Sequence, residues 1–213
     1  MKSLCVVLIS LIMCSLIYSQ EDSTKRNWAL SFGIANDFRL TNFNMDIAVK
    51  KIIDDEQLRL FLSPNVATRN DDQTSNGQTS KIDYLDYSIG VGADYLWTLI
   101  TEDDFNLFSG TGLVFTFGNT HSKTTSTDTD GNNGINDASR PFTSVGLRGT
   151  LGVEWKVTEN IGLHSEYLLT GSYFWNKTEA KSSLNGIENP IQTRKSSGIT
   201  LGTSVLFGIS IYL

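Results

Sequence analysis

The final stretch of the chain, Ser197–Leu213, alternates between large and small residues. One series is apolar apart from a single threonine: Ile199, Leu201, Thr203, Val205, Phe207, Ile209, Ile211 and Leu213. The other series is mostly glycine, serine and threonine. A period of two is typical of a strand, because successive side chains point to opposite faces. A transmembrane strand needs about 9–11 residues, and a free apolar edge invites aggregation. We therefore expect this strand to be paired on both sides.

The same alternation predicts seven earlier strands, and no stretch shows a convincing helical period. In chain order their apolar faces begin at Trp28, Phe43, Leu58, Ile89, Phe105, Val145 and Ile161. Pro64 predicts a bulge or the end of the third strand. A change of register between Tyr84 and Tyr87 predicts a bulge in the fourth. Together the pattern predicts an all-β fold, a closed eight-stranded antiparallel up-and-down transmembrane β-barrel.

The connections between these strands differ in length according to the end of the barrel. Short acidic turns are predicted at Asp54–Glu56, Thr101–Asp104 and Thr158–Asn160. Long polar loops are predicted at Asn70–Ser80, Asn119–Arg140 and Thr178–Lys195. Short periplasmic turns and long outer loops are typical of outer-membrane barrels.

Aromatic residues collect at both ends of the predicted strands, as they do at the two interfaces of a bilayer. Those near the short turns are Trp28, Trp97, Phe105, Trp155 and Tyr212. Those near the long loops are Phe117, Phe142, Tyr173 and Trp175. A secreted lipocalin-like barrel that binds a soluble ligand is the alternative with the same strand count. Its exterior would carry more Lys and Glu than either face does here, so we favour the membrane barrel.

Residues 1–19 resemble an export signal, and residues 20–213 form the predicted barrel domain. Lys2 precedes a short apolar core, Leu4–Ile17, and Ser19 supplies a small residue before a cleavage point. Both cysteines lie in this segment, so we expect a mature chain without disulfides. The net charge of −6 becomes more negative once Lys2 is removed. An acidic chain without a basic stripe argues against nucleic-acid binding.

The signal, the amphipathic strands and the apolar C-terminal strand resemble the small outer-membrane β-barrel proteins of the OmpA and OmpX type. The resemblance implies insertion by the barrel-assembly machinery, guided by the C-terminal strand, into the outer membrane of a Gram-negative bacterium. In that group the last residue is usually aromatic, whereas this chain ends in Leu213. Phe207, Ile209 and Ile211 keep the alternating apolar positions.

Charged residues on the inward faces are the candidate functional residues. The inward positions that ionise are Asp37, Arg39, Asp46, Lys50, Arg59, Asp94, Arg148, Glu154, Lys156, His164 and Glu166. Side chains fill the interior of a barrel this narrow, and buried charges must pair. We expect one interior network of Arg59, Asp94, Arg148, Glu154, Lys156, His164 and Glu166. Glu154 is predicted to lie opposite His164 or Glu166, with a cation between the carboxylates.

Two motifs suggest chemistry that the pattern does not support. His164, Ser165 and Glu166 hold the residue types of a hydrolase triad, but alternation turns Ser165 away from the other two, so we expect no enzyme. Asp128, Asp130 and Asn132 keep the spacing of a calcium loop. The expected glycine is replaced by Asn133 and no bidentate Glu follows, so we favour a polar loop over a metal site. No cofactor is expected.

The pattern leaves two functional classes open. One is a structural or surface-interaction protein with a filled interior, lipid around it, and outer loops available to an extracellular partner. The other is a small outer-membrane channel or transporter. A filled interior favours the first.

Overall fold

The computed structural model describes residues 27–35, 42–75 and 78–213. The predicted signal, residues 1–19, and the inward positions Asp37 and Arg39 lie outside the described residues. The strands are β1 (Trp28–Ala35), β2 (Asn42–Ile53), β3 (Glu56–Ser75), β4 (Gln78–Glu102), β5 (Phe105–Thr127), β6 (Asn133–Thr158), β7 (Ile161–Leu184), β8 (Ile187–Glu188) and β9 (Gln192–Tyr212). Among the described residues, no helix is long and apolar enough to cross a membrane.

The strands form a closed antiparallel ring. Each strand from β1 to β7 pairs with the next, β7 pairs with β9, and β9 returns to β1. The two residues of β8 extend only the end of β7. Within the described residues the ring therefore contains eight long strands, and the predicted up-and-down barrel is confirmed. Its seam joins Ala29–Ala35 of β1 to Leu206–Tyr212 of β9.

The short turns at one end are tight. Asp54 and Asp103 adopt left-handed φ angles of 53° and 47°, which aspartate tolerates better than most residues. We call this end of the barrel the turn end, and the opposite end the outer end.

The predicted long loops are mostly strand, which corrects the sequence interpretation. β3 continues to Ser75, β5 to Thr127 and β7 to Leu184, and the hairpins close only beyond those residues. Their threonines are β-branched and suit an extended backbone, and the pairing continues, as in Thr125 with Ile135. Polarity in a sequence usually indicates a loop, but a strand exposed on both faces is polar as well.

Two predicted bulges are absent from the described strands. Tyr84 and Tyr87 pair without a register shift with both neighbouring strands, and the shifts occur at Thr98/Ile100 and Lys156/Thr158 instead. β3 runs straight through Pro64, which pairs with Ile89 of β4. Pro64 has no paired residue on β2, as expected for a residue without a backbone N–H.

Large apolar side chains cover the outside of the wall near the turn end. Examples of these exposed residues are Leu60, Leu113, Leu147, Leu163 and Ile209. The inward positions carry small residues, charges and a few large apolar side chains. This distribution of polarity is the reverse of that in a soluble barrel.

Candidate functional site

A cluster of buried charged side chains fills the interior near the turn end, and we call it the interior charge network. Its members are Asp46, Lys50, Arg59, Asp94, Arg148, Glu154, His164 and Glu166, each no more than 8% exposed. Strand register brings them together, because Lys50 lies directly opposite Arg59, and Arg59 opposite Asp94. Five strands contribute charges, so the cluster spans the lumen.

Arg59 stands at the centre of the network and binds two carboxylates. Its Nε and Nη2 donate to Asp94 Oδ2 at 2.9 and 2.7 Å. Its Nη1 donates to Glu166 Oε1 and Oε2 at 2.6 and 2.7 Å. The planar guanidinium therefore joins β3 to the adjacent β4 and, across the lumen, to β7. Hydrogen bonds between ionised partners are about twice as strong as neutral ones.

Arg148 on β6 extends the network toward β2 and β4. Its Nε donates to Asp94 Oδ1 at 3.2 Å, its Nη2 also contacts Asp94, and its Nη1 lies 3.4 Å from Asp46 Oδ2. Ser63 Oγ donates to the same Asp46 oxygen at 3.1 Å. The guanidinium carbon of Arg148 lies 3.5 Å from the centre of the Phe61 ring, a distance at which a cation is attracted to the ring face.

A third cation, Lys50, lies in the part of the network nearest the seam. Its Nζ lies 3.6 Å from Glu154 Oε1 and donates to Ser210 Oγ at 3.1 Å. His164 fills the space between these groups and Arg59. Its two ring nitrogens lie 3.4 Å from Ser31 Oγ and 3.3 Å from Ser210 Oγ, and Nε2 is 3.8 Å from Glu166 Oε1.

Inward glycines make the space that these side chains occupy. A β-carbon on Gly208 would lie 2.4 Å from His164 Nε2, and one on Gly112 would lie against Asp94 and the Ala93 carbonyl. A β-carbon on Gly152 would come within 2.4 Å of the Phe108 ring. The side chains of His164, Asp94 and Phe108 therefore each lie over a glycine of a neighbouring strand. The interior at this level is packed, as expected for an eight-stranded barrel.

Six of the seven residues predicted for the network are brought together: Arg59, Asp94, Arg148, Glu154, His164 and Glu166. Glu154 lies opposite His164, one of the two registers predicted. Lys156 differs from the prediction, since it is exposed at the turn end and its Nζ lies 5.8 Å from the Tyr212 ring centre. Lys50, and not Lys156, is the lysine that lies beside the Glu154 carboxylate.

The sequence places Asp46 and Lys50 on inward faces but does not assign them to the network. The signal that could have included Lys50 is the hairpin register, because a two-residue turn at Asp54–Asp55 sets Lys50 opposite Arg59. The serine partners Ser31 and Ser210 carry no such signal, since serine is common at inward positions of the other strands.

The residues of the suspected triad do not form one. Ser165 pairs with Phe207 and Val153 on the outward side of the wall, away from His164. His164 does meet other serines, but those contacts are enclosed, with Ser31, His164 and Ser210 at most 4% exposed. A substrate would have to displace the packed interior to reach them.

The oxygens of the calcium-like segment are occupied by hydrogen bonds within the turn. Asp128 Oδ1 accepts the backbone N–H groups of Asp130 and Asn132 at 3.0 and 2.8 Å, and Asp128 Oδ2 accepts Asn132 Nδ2 at 2.9 Å. Asn132 Oδ1 accepts Asn185 Nδ2 at 2.8 Å. The hydrogen bonds from Asn132 hold the pKa of the Asp128 carboxyl below its usual range. Across the described ranges, no group of three or more His, Cys, Asp or Glu is arranged to hold a metal ion.

Comparison with solved structures identifies the fold. A major outer membrane protein from Thermus thermophilus matches with a TM-score of 0.51 and 15% identity, over 87% of this chain and 98% of that one. Neisserial surface protein A matches at 16% identity and TM-score 0.36, over 87% of this chain and 94% of that one. CarO of Acinetobacter baumannii matches at 10% identity and TM-score 0.37, over 91% and 100%. No protein-family model and no curated protein sequence matches the chain.

These similarities concern the fold alone. The assignment of the fold rests on the Thermus protein, for which the TM-score exceeds 0.5. The chain is similar to small outer-membrane β-barrel proteins, as the sequence pattern predicts.

Proposed function

We propose that the protein is an integral outer-membrane barrel of a Gram-negative bacterium, exported by a signal that is cleaved after residue 19. One observation carries the proposal: near the turn end the wall exposes its large apolar side chains and buries its charges. In water the exposed apolar face would be costly, whereas in a bilayer the same side chains face hydrocarbon. The closed ring also satisfies the backbone hydrogen bonds without an open edge.

The role that the geometry supports best is structural or surface-directed. The interior charge network crosses the lumen and ties five strands together, an arrangement that would close the barrel at that level. At the outer end the hairpins continue as polar strands beyond the apolar band, and they present a sheet that an extracellular partner could bind. β9 supplies the alternating strand that the barrel-assembly machinery would engage during insertion.

Refolding and conductance measurements test the two parts of this proposal. The purified chain should refold into lipid vesicles and migrate differently on SDS gels before and after heating, because folded barrels resist SDS. A chain that stays soluble and migrates identically in both states would support the lipocalin-like alternative instead.

Planar-bilayer recording of the refolded protein should show no steady conductance, since the network fills the lumen. As a positive control, Arg148→Ala removes the side chain that reaches both Asp46 and Asp94, and should admit ions if the network is the barrier. Steady conductance of the unaltered protein would support the small-channel alternative.

A further inference from the structure

Two lysines lie directly opposite each other on the outward face of the wall. Lys177 of β7 pairs in register with Lys195 of β9. The β-carbons of directly opposed residues are about 4.5–5.5 Å apart, and like charges in such positions destabilise a sheet. A carboxylate on the neighbouring positions could offset both charges.

Only one of the two lysines has such a partner. Lys177 Nζ lies 2.5 Å from Glu179 Oε1. Of the residues that the structure describes, none places a carboxylate within ion-pair distance of Lys195. Among the described residues, one positive charge of the pair therefore has no ion-pair partner.

The lysines border a groove of about 660 Å³ on the outside of the barrel. Most of its lining residues belong to the outward series, namely Pro141, Thr143, Tyr173, Trp175, Lys177, Lys195 and Ser197, and the others are Phe142, Asn176 and Ser196 of the inward series. On the outward face of β7, Tyr173, Trp175 and Lys177 follow one another at alternate positions, and the two rings lie 6.0 Å apart. The groove thus has aromatic rings toward the turn end and ammonium groups toward the outer end.

The apolar band begins immediately below this groove. Tyr173 pairs with Ile199, and Gly171 with Leu201, on the same outward face. Ile199 and Leu201 are 83% and 75% exposed, among the most exposed apolar side chains on the wall. Trp and Tyr concentrate at the level of lipid headgroups, so the lysine pair lies just above that level.

We propose that this groove binds the phosphate-bearing headgroup of an anionic lipid in the outer leaflet. The phosphate oxygens would accept hydrogen bonds from both ammonium groups, which relieves the repulsion across the strands. The acyl chains would run toward the turn end over Ile199 and Leu201. This inference rests on the proposed membrane location.

Native mass spectrometry of the folded protein in an uncharged detergent tests the lipid assignment. The probes are phosphatidylglycerol, zwitterionic phosphatidylcholine and inorganic phosphate. We expect phosphatidylglycerol to bind more tightly than phosphatidylcholine. Because each lysine near an anionic lipid contributes about 1 kcal/mol, Lys177→Gln/Lys195→Gln should weaken phosphatidylglycerol binding on the order of 30-fold. Lys81→Gln/Lys123→Gln, which removes the same charge from outward positions on β4 and β5, should leave binding unchanged.

The outcomes separate this inference from the proposed function. Equal losses in both double variants would indicate diffuse electrostatics and overturn it. Inorganic phosphate that displaces phosphatidylglycerol with equal affinity would overturn the lipid as the ligand. If every variant shows the heat-dependent gel shift of a folded barrel but no lysine-dependent lipid preference, the groove assignment fails and the membrane barrel stands. A chain that never folds into vesicles overturns both.

Discussion

The turn end and the outer end of the barrel use the same strands under different physical conditions. Near the turn end, the ion pairs are buried, and Arg59 with its two carboxylates is at most 3% exposed. Toward the outer end, Arg69 forms an ion pair with Asp71 at 2.6 Å on the same inward face of β3, yet its side chain is 73% exposed. The contrast teaches that strand pairing holds the whole wall, whereas side-chain pairing stabilises only the enclosed half.

The largest effect is expected from Arg59→Ala. Removing one partner of a buried ion pair typically costs about 3–5 kcal/mol, and here two carboxylates, Asp94 and Glu166, lose their principal cation. We expect the free energy of unfolding in urea to fall by about 5 kcal/mol. Arg69→Ala, the matched arginine on the same strand, should cost no more than about 1 kcal/mol because exposed pairs contribute little. Equal costs for the two variants would remove the distinction between the two ends.

Glu154→Ala should have the next largest effect. It leaves the ammonium of Lys50 buried without its carboxylate, 3.6 Å away in the native protein. Since Ser210 still accepts a hydrogen bond from Lys50, we expect a loss of about 3 kcal/mol in unfolding free energy. The control is Glu179→Ala, which breaks an exposed pair with Lys177 and should shift the urea midpoint much less. Similar midpoints for the two variants would contradict the network as a source of stability.

Glycine substitutions on β9 sharpen the comparison without changing any charge. A β-carbon at Gly208 would lie 2.4 Å from both His164 Nε2 and the Phe32 carbonyl oxygen, so backbone must move. We expect Gly208→Ala to cost about 1–3 kcal/mol, as overpacking does. A β-carbon at Gly202, nearer the outer end, meets nothing within 4 Å, and Gly202→Ala should be close to neutral. Urea unfolding of the pair checks this, and a costly Gly202→Ala would mean that the outer half is also packed.

The smallest effect concerns the turn at the outer end of β5 and β6. The pKa of Asp128 is lowered by its hydrogen bonds from Asn132, so its contribution is present above the unfolded value of about 3.9 and is lost as the pH falls through the folded pKa. The amide signals of Asp130 and Asn132 in NMR spectra should therefore shift with a midpoint below the ordinary pKa of an aspartate. Asp128→Ala should abolish the titration and lower the urea midpoint only slightly, because these hydrogen bonds lie outside the packed interior. A titration that persists in Asp128→Ala would assign it to another group.

The sequence predicts the strands and the ring well because the alternation of apolar and polar residues is a local signal that can be read directly along each segment. The sequence predicts the network less completely. Alternation shows which face of a strand a residue lies on, but not how far along the barrel axis it lies. Lys156 and Glu154 share a face, yet two residues along a strand separate an exposed ammonium from a buried carboxylate.

The outer parts of the strands are not predicted from the sequence, for a different reason. Segments such as Thr120–Thr127 are polar on both faces, and a polar segment gives no alternation to read. Their pairing is determined by the neighbouring strands, which a single segment does not reveal. The lysine pair of β7 and β9 has the same origin, since Lys177 and Lys195 lie far apart in sequence and meet only through register.

The seam between β1 and β9 determines the order in which the barrel can fold. Each consecutive pair of strands up to β7 can zip from a nearby connection, whereas Ala29 must find Tyr212 from the opposite end of the domain. Such a distant contact has a large loop-closure entropy, and topologies that depend on it fold slowly. We therefore expect the seam to be the last pairing to form, with two strand edges exposed to other chains until then. Holding those edges apart from other chains is the kinetic task that any insertion partner of this protein must perform.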